Sequence, residues 1–394
     1  MASTEVEFNP FLPEFHANPY PFYHRLRTAD PVHRTAMGLW VLTRYADVVS
    51  VLRDPRFGRE GFDQILVNVY GEGARSMLFR DPPDHTRLRG LVSQAFTPRM
   101  IERMRSHIQE IVDRLLDRVQ NANVMDVILD LAYPLPVTVI CEMLGVPTDA
   151  HSGIRQWSAD LARSVDAIGM PTDEDVVKRG RAAQQALLDY FRDLIRERRQ
   201  APRDDLLSLL IAAEEQGDKL TEGELLITCN LLFVAGHETT VNLIGNGLLA
   251  LLNHPDELAK LRADPALLPG AVEELLRYDS PVQRTGRITN TDVEIDGRKI
   301  AKGSFVVTAI GAANRDPAHF SDPDRLDITH RDNRHVAFGF GIHFCLGAPL
   351  ARLEGQIAIG TLLRRMPGLR LATSTLEWRE SSTLRGLKRL PVTF

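Results

Sequence analysis

The feature that most constrains the fold is an apolar stretch at residues 225–252, LLITCNLLFVAGHETTVNLIGNGLLALL. Asn230, His237, Glu238 and Asn242 interrupt it. A membrane-spanning helix of this length would carry fewer polar side chains near its centre. The stretch therefore predicts a long helix that is buried inside the protein.

The composition is that of a globular protein with enough apolar material for a large core. The 394 residues are 44% hydrophobic and 25% charged, with a formal net charge of −5. This balance provides neither a basic surface for nucleic acid nor an acidic tail. The three cysteines are widely spaced, and the N-terminus lacks the pattern of a secretory signal or a membrane anchor. We therefore expect a reduced, cytoplasmic setting.

Helical periodicity dominates the chain, most clearly at residues 97–120 and 179–199. Thr221 and Glu224 have the spacing of a capping box. Strand patterns are fewer. Residues 39–45 and the C-terminal nine residues each predict a short strand, and residues 292–310 predict a hairpin with an Asp-Gly turn, followed by another strand. The pattern predicts a mainly α protein with a minor β region, organised as one domain over residues 1–394.

Cys345 lies in the glycine-rich stretch FGFGIHFCLG, which leads into a predicted helix. The amides and dipole of a helix start favour a thiolate, and glycine allows close approach to the backbone. Such a thiolate could be a nucleophile, a redox thiol or a metal ligand, and the alternative is a small buried cysteine at a packed turn. His343 lies at an awkward spacing for a catalytic base. Zinc needs several protein ligands, whereas haem iron needs only one thiolate because the porphyrin supplies four ligands.

The stretch AGHETT at residues 235–240 has low helix propensity, although it lies in the middle of the predicted long helix. One interpretation is a helix–helix contact at Gly236, with threonine hydroxyls bonded to carbonyls four residues earlier. The functional interpretation is a local kink that lets Thr239 and Glu238 handle protons. The residues alone leave both open.

Two further pairs have helical spacing. His85 and Arg89 lie one turn apart, so they could bind one anion, although a solvated basic helix start has the same pattern. Glu274 and Arg277 can form an ion pair at i, i+3. The same spacing at Glu102–Arg105 predicts only a solvated pair.

Taken in chain order, these stretches resemble the cytochrome P-450 family of haem-thiolate monooxygenases in its soluble bacterial form. The family signature F-x-x-G-x-[HR]-x-C-x-G is matched in full by Phe338, Gly341, His343, Cys345 and Gly347. AGHETT matches the oxygen-binding helix, and Glu274-x-x-Arg277 matches the core pair. The terminal stretches NPYPFYHRLR and RGLKRLPVTF extend the resemblance over nearly the whole chain.

The resemblance implies a P-450 fold, with haem b between the oxygen-binding helix and the helix after the cysteine loop. Cys345 would be the axial ligand of the iron, while Glu238 and Thr239 would supply protons for the activation of dioxygen. The other implied haem-binding residues are His85, Arg89, Arg287, His343, Phe338, Gly341, Gly347, Ala235 and Gly236. Glu274, Arg277 and Arg325 would form a buried structural network.

The resemblance also implies an apolar small-molecule substrate, which would be hydroxylated or epoxidised. The residues placed around it are Met77, Leu78, Leu231, Leu232, Val234, Ala235, Val282, Thr285, Thr383 and Leu384. Electrons would come from a separate ferredoxin or flavodoxin with its reductase, docked near Arg80, Arg87, Arg99 and Arg352. The alternatives are a peroxide-driven member of the family, a haem-binding sensor or carrier without turnover, and a cysteine hydrolase.

Overall fold

A computed structural model describes residues 8–71, 75–147, 151–215 and 220–394. Its helices are α1 (Pro13–Ala17), α2 (Tyr20–Ala29), α3 (Tyr45–Arg53), α4 (Asp63–Tyr70), α5 (Asp84–Ser93), α6 (Pro98–Arg103), α7 (Arg105–Asp117), α8 (Pro134–Met143), α9 (His151–Ser164), α10 (Glu174–Gln200), α11 (Leu206–Glu215), α12 (Glu222–Asn253), α13 (Pro255–Ala263), α14 (Leu268–Tyr278), α15 (Ile310–Ala313) and α16 (Ala348–Arg365). The strands are β1 (Val32–Arg34), β2 (Trp40–Leu42), β3 (Phe57–Gly58), β4 (Val124–Asp126), β5 (Thr285–Thr289), β6 (Val293–Ile295), β7 (Arg298–Ile300), β8 (Phe305–Thr308), β9 (Arg370–Leu371) and β10 (Pro391–Thr393). The predicted mainly α fold with a minor β region is confirmed, and the single-domain organisation stays a prediction.

The predicted long helix is α12, which has 32 residues and is therefore about 48 Å long. The capping box of Thr221 and Glu224 starts it. It packs against α8, α10, α14 and α16. Some of its buried polar side chains have partners: Asn230 donates to Gln184 at 2.9 Å, and Asn246 donates to a backbone carbonyl at 3.0 Å. Neither amide atom of the buried Asn242 has a hydrogen-bond partner among the described residues. In the part of the chain that the structure describes, no helix is long and apolar enough to cross a membrane.

The helical pattern at residues 97–120 corresponds to two helices rather than one. Thr97 caps α6 by accepting a hydrogen bond from the Met100 amide, as its sequence position suggests. At Met104 the amide bonds to the carbonyl of Ile101, three residues earlier, and α7 starts at the next residue. The period of apolar residues cannot reveal this local tightening, because the buried residues continue at helical spacing on both sides.

The β structure consists of a five-stranded sheet in the order β1-β2-β8-β5-β3, a three-stranded sheet in the order β4-β10-β9, and the hairpin β6-β7. Only β2 and β8 are parallel in the larger sheet. The hairpin turns at Asp296 and Gly297, both with positive φ, as predicted. The predicted strands at residues 39–45, 292–310 and the C-terminus are confirmed. The other strands lie in segments without a clear alternating pattern.

Glu274 and Arg277 of α14 form a bidentate pair with two distances of 2.8 Å, and both side chains are buried. Glu274 also accepts hydrogen bonds from the Asp327 amide and the Asn333 side chain. The guanidinium of Arg277 also donates to the backbone carbonyls of Asn314, Pro323 and Arg325. The structure thus places a buried network around this pair, to which Arg325 contributes its backbone carbonyl. The side chain of Arg325 is exposed, so its guanidinium lies outside the network.

This network predicts a large loss of stability for Arg277→Ala. The substitution leaves the Glu274 carboxylate buried without its cation, and we expect the free energy of unfolding to fall by about 3–5 kcal/mol. Arg105→Ala is the matched control, because Glu102 and Arg105 have the same spacing but form an exposed pair, and it should change stability little. Denaturant unfolding of both variants measures this, and equal effects would contradict the prediction.

Candidate active site

The loop before Cys345 is fixed by two residues with left-handed backbone. Gly339 and Gly341 both have φ of +72°. A β-carbon at Gly341 would lie 2.5 Å from the Leu52 carbonyl oxygen at the end of α3. The Cys345 amide donates to the Phe338 carbonyl at 2.9 Å and closes the loop. At Gly341, therefore, the glycine admits the α3 backbone, a reason that the sequence could not supply.

The Cys345 side chain is exposed, yet the surrounding protein raises the pKa of its thiol by burial. A side chain at the wall of an enclosed recess has both properties. The amides of Gly347 and Ala348, with Arg89 and Arg352, oppose the increase but do not outweigh it. The thiolate expected from the helix start is thus not stabilised by the protein alone. A thiol with a raised pKa is a poor nucleophile, whereas a bound metal cation would provide the missing stabilisation.

Basic side chains from three segments meet beside this loop. The rings of His85 and His343 are 4.3 Å apart, and Arg89 donates to the Phe344 carbonyl at 2.6 Å. The Nε2 atom of His343 is buried without a hydrogen-bond partner among the described residues. Burial lowers the pKa of His343 to about 2, together with the nearby Arg59 and Arg287. The structure therefore brings the four predicted propionate ligands together, and His85 is buried rather than solvated.

The sequence analysis missed Arg59, which lies in the same cluster. It is 6% exposed, and its guanidinium donates to the Thr285 hydroxyl at 2.9 Å. The arginine follows the short strand β3 in a segment without any motif, so no sequence signal distinguished it. Its position becomes clear only because β3 pairs with β5, which carries Arg287.

The AGHETT stretch continues α12 without a break. A β-carbon at Gly236 would lie 3.2 Å from Ile140 of α8, and the Thr239 hydroxyl donates to the Ala235 carbonyl at 3.1 Å. These are the two contacts of the helix–helix interpretation, and the predicted kink does not interrupt the helix. Ala235 is exposed and Thr239 is half-buried, so one face of α12 borders open space while Gly236 faces α8.

Glu238 and His237 occupy the buried side of the same turn. The Glu238 carboxylate accepts a short hydrogen bond from Arg379 in the C-terminal segment. His237 donates from Nδ1 to the Phe233 carbonyl at 2.7 Å, so its Nε2 accepts from the Ser158 hydroxyl at 2.6 Å. Glu238 and Thr239 are thus neighbours in sequence whose hydrogen bonds point in different directions. Arg379 was not foreseen, because its segment has no pattern that indicates a partner for α12.

Glu354 of α16 is a second residue that the sequence analysis missed. It is 1% exposed, and neither of its carboxyl oxygens has a well-formed hydrogen bond among the described residues. Burial raises its pKa to about 8, and the Thr240 hydroxyl of α12 opposes the increase without forming a bond of good geometry. A signal was present, because Glu354 follows Leu350 by four residues on the buried stripe of α16.

The predicted substrate-facing segments meet in part. Val282 pairs with Leu384 in an isolated bridge, and the Gln283 amide donates to the Thr383 carbonyl at 2.8 Å. This brings the segments 282–285 and 383–384 together. Leu231 and Val234 are half-buried against the main core, which also includes the buried Met77 and Leu232. Leu78 is half-buried beside Met77.

Residues 30–367 match the family model described as Cytochrome P450. The chain belongs to the cytochrome P450 family. It is similar to cytochrome P450 107B1 of Saccharopolyspora erythraea, with 48% identity over 94% of this chain and 93% of that protein. It is also similar to vitamin D(3) 25-hydroxylase of Pseudonocardia autotrophica, with 44% identity over 96% of this chain and 94% of that protein. A crystal structure of P450BioI, in complex with acyl carrier protein ligated to hexadec-9Z-enoic acid, has a TM-score of 0.89 and 42% identity, over 97% of this chain and 99% of that one.

Family membership makes this protein a haem b monooxygenase that requires O₂ and a redox partner. The cysteine hydrolase and the haem sensor without turnover are thereby excluded. The residues present fit the cofactor. An exposed thiol lies in the same loop as an imidazole nitrogen without a partner among the described residues, and the buried guanidiniums near this imidazole complete a donor set suited to carboxylates.

Glu354 predicts a pH dependence of stability. Its pKa is raised from 4.5 to about 8, so the folded protein keeps a proton that the unfolded chain releases above the lower value. Relative to Glu354→Gln, wild-type stability should therefore fall as pH rises through this window, by about 1.4 kcal/mol per pH unit. Denaturant unfolding at several pH values measures the difference, and a difference that is independent of pH would contradict the prediction.

Proposed function

We propose that the recess beside Cys345 holds haem b between α12 and α16, with the Cys345 thiolate as the axial ligand. The observation that supports this haem site is that buried cationic groups lie beside the cysteine loop. In the proposal, the propionates accept charge-assisted hydrogen bonds from His85, Arg89, Arg287 and His343. Phe338, Gly347 and Ala235 border the porphyrin, whereas Gly341 admits the α3 backbone and Gly236 faces α8. The bound haem supplies the chemistry of dioxygen activation, and the remaining tasks fall to side chains of this chain.

We propose an apolar small molecule as the substrate, bound between α12 and the paired segments at Val282 and Leu384. Leu231 and Val234 provide half-buried apolar surface on α12, and Leu384 provides it from the other side. A mostly apolar lining binds lipophilic molecules with few polar contacts to fix their orientation. The molecules named for two relatives, vitamin D(3) and hexadec-9Z-enoic acid, are both lipophilic. The shape of this lining determines which substrate binds and which of its carbons is oxidised. It also determines whether the reaction is hydroxylation or epoxidation.

We propose that Thr239 and Glu238 supply protons to the reaction in two stages. The Thr239 hydroxyl lies on the open face of α12, where it donates a hydrogen bond to the Ala235 carbonyl. Because this face is open, the hydroxyl can rotate and donate to another group instead. Glu238 is the second group of the proposed proton relay, and it lies on the buried side of α12. Its carboxylate is bound to Arg379, whose side chain is 25% exposed, so the carboxylate lies close to solvent water that can supply its proton. This acid–alcohol pair favours an O₂-dependent enzyme over a peroxide-driven one.

Thr239→Ala should uncouple electron consumption from product formation. Without the hydroxyl, protons reach dioxygen less selectively, and we expect the product formed per reducing equivalent to fall about tenfold or more, with hydrogen peroxide released instead. Thr239→Ser is the matched control, because it keeps the hydroxyl and should retain most of the coupling. Product, peroxide and reductant are measured together. Full coupling in Thr239→Ala would remove Thr239 from the proposed relay.

We propose that the redox partner is an acidic ferredoxin or flavodoxin that docks on the cysteine-loop side, and that the enzyme works in the cytoplasm. Of the predicted docking residues, Arg80, Arg87 and Arg352 form ion pairs within the chain. Arg99 is exposed, and the described residues include no ion-pair partner for it. Exposed apolar side chains at Met100 and Ile342 accompany it on α6 and the loop. Charge steers the encounter on such a surface, while apolar contacts hold the complex.

Arg99→Glu should weaken reduction by a [2Fe–2S] ferredoxin and its reductase. We expect the KM for ferredoxin to rise several-fold at low salt and the difference from wild type to shrink as salt screens the charges. Arg196→Glu on α10 is the control, because it reverses a similarly exposed charge on another helix. Steady-state reduction assays measure both variants. An unchanged KM for Arg99→Glu would place the docking surface elsewhere.

A further inference from the structure

Arg59 is a buried cation whose charge has no ion-pair partner among the described residues. One guanidinium nitrogen donates to Thr285 at 2.9 Å, while Nε is buried without a hydrogen-bond partner. The group also lies over the rings of Phe62 and Phe79, at 5.9 and 5.7 Å from their centroids. Burying an arginine in such surroundings is costly unless an anion accompanies it.

The nearest acidic residue, Asp81, is already engaged. Its two oxygens accept hydrogen bonds from the Arg59 amide at 3.0 and 2.9 Å, and one also accepts from the Glu60 amide at 3.1 Å. Gly58 leaves room for this approach, since a β-carbon there would collide with the Asp81 carboxylate. Asp81 thus holds the backbone of this segment in place, and it does not provide a hydrogen-bond partner for the Arg59 side chain.

The Arg59 guanidinium points to the same space as Arg287. Thr285, which accepts from Arg59, and Arg287 are two residues apart on β5, so their side chains lie on the same face of the strand. The only hydrogen bond of the Arg287 guanidinium among the described residues goes to the Gly286 carbonyl. The bond to Thr285 therefore brings the Arg59 guanidinium to the strand face that carries Arg287, and burial and this second cation both lower the pKa of Arg59. Two buried cations with so few acceptors among the described residues favour an anion between them.

We propose that Arg59 binds a haem propionate together with Arg287, as a further member of the propionate site. The charge count supports this ligand. Arg59, Arg89 and Arg287 carry three positive charges against one negative charge on Asp81, and the two propionates of haem b balance the remainder. A substrate carboxylate at Arg59 would add an anion that this cluster does not need. The inference rests on the propionate site proposed above.

Arg59 also connects the propionate site to two other parts of the chain. Its contacts with Phe62 and Phe79 join it to the segment between α3 and α5, and its bond to Thr285 joins it to the predicted substrate side. Through this one side chain, binding of the cofactor fixes the position of residues that border the substrate. Arg59 is therefore a positioning residue as well as a ligand of the propionate.

The test measures haem loss rather than activity. Arg59→Gln and Arg287→Gln are reconstituted with haem b and, separately, with its dimethyl ester, which has no propionate charge. Transfer of the haem to excess apomyoglobin gives the dissociation rate. With haem b, both variants should lose haem at least about tenfold faster than wild type, because each removes a charge-assisted hydrogen bond. With the ester, the differences from wild type should largely disappear.

Three outcomes would contradict the assignment of Arg59 to the propionate site, and each would have a different cause. If the ester abolishes the effect of Arg287→Gln but not that of Arg59→Gln, Arg59 does not bind a propionate, and the proposed site stands. If the ester abolishes neither effect, the propionate site itself is wrong. If Arg59→Gln leaves haem loss unchanged but weakens binding of hexadecenoic acid relative to its methyl ester, the arginine binds a substrate carboxylate. Arg59→Lys keeps the positive charge, so its rate of haem loss should lie between those of wild type and Arg59→Gln. This variant replaces Arg59→Gln in the test if Arg59→Gln folds poorly.

Discussion

The burial of positive charge is the constraint on which the rest of this structure depends. The protein buries arginines in two different ways. Arg277 is surrounded by a bidentate carboxylate and three backbone carbonyls, so the chain satisfies it completely. Arg59 and Arg287 have few partners within the chain and converge on one space. In the first case the charge fixes the fold. In the second, the proposed binding of the haem propionates would couple the stability of the folded protein to the cofactor, because a ligand that binds only the native state stabilises it.

Helix α12 separates two kinds of chemistry by presenting different faces. Ala235 and the Thr239 hydroxyl lie on the open face. On the closed side, Glu238 is tied to Arg379 and His237 to Ser158. Residues adjacent in sequence thus contact different parts of the fold. The carboxylate is held beside the partly exposed Arg379, while the hydroxyl lies on the open face of the helix.

The sequence predicted the larger elements of the fold and the family. The apolar run gave α12, the Asp-Gly pair gave the hairpin, and the signature around Cys345 gave the loop and helix that follow. The segments that it missed are those whose structure depends on a distant partner. β1, β3 and β5 are strands because they pair with one another or with β2 and β8. The break at Met104 is an exception, because it depends on one local hydrogen bond that the period of apolar residues does not record. The side chain of Arg325 was misplaced because spacing cannot distinguish a carbonyl from a guanidinium as the contributing group.

What the sequence determined by itself is the local geometry of the cysteine loop, the long buried helix and the family of the protein, because these depend on residue types at fixed short spacings. Only the tertiary structure decided which charges are buried together. Arg59 lies on the same side as Arg287 because β3 pairs with β5, and Glu238 meets Arg379 because the C-terminal segment lies against α12. Glu354 is buried where α16 packs on α12, without a well-formed hydrogen bond among the described residues. The electrostatic energy of a charge depends on everything within several ångströms of it. That environment is assembled from segments hundreds of residues apart, and no local pattern records it.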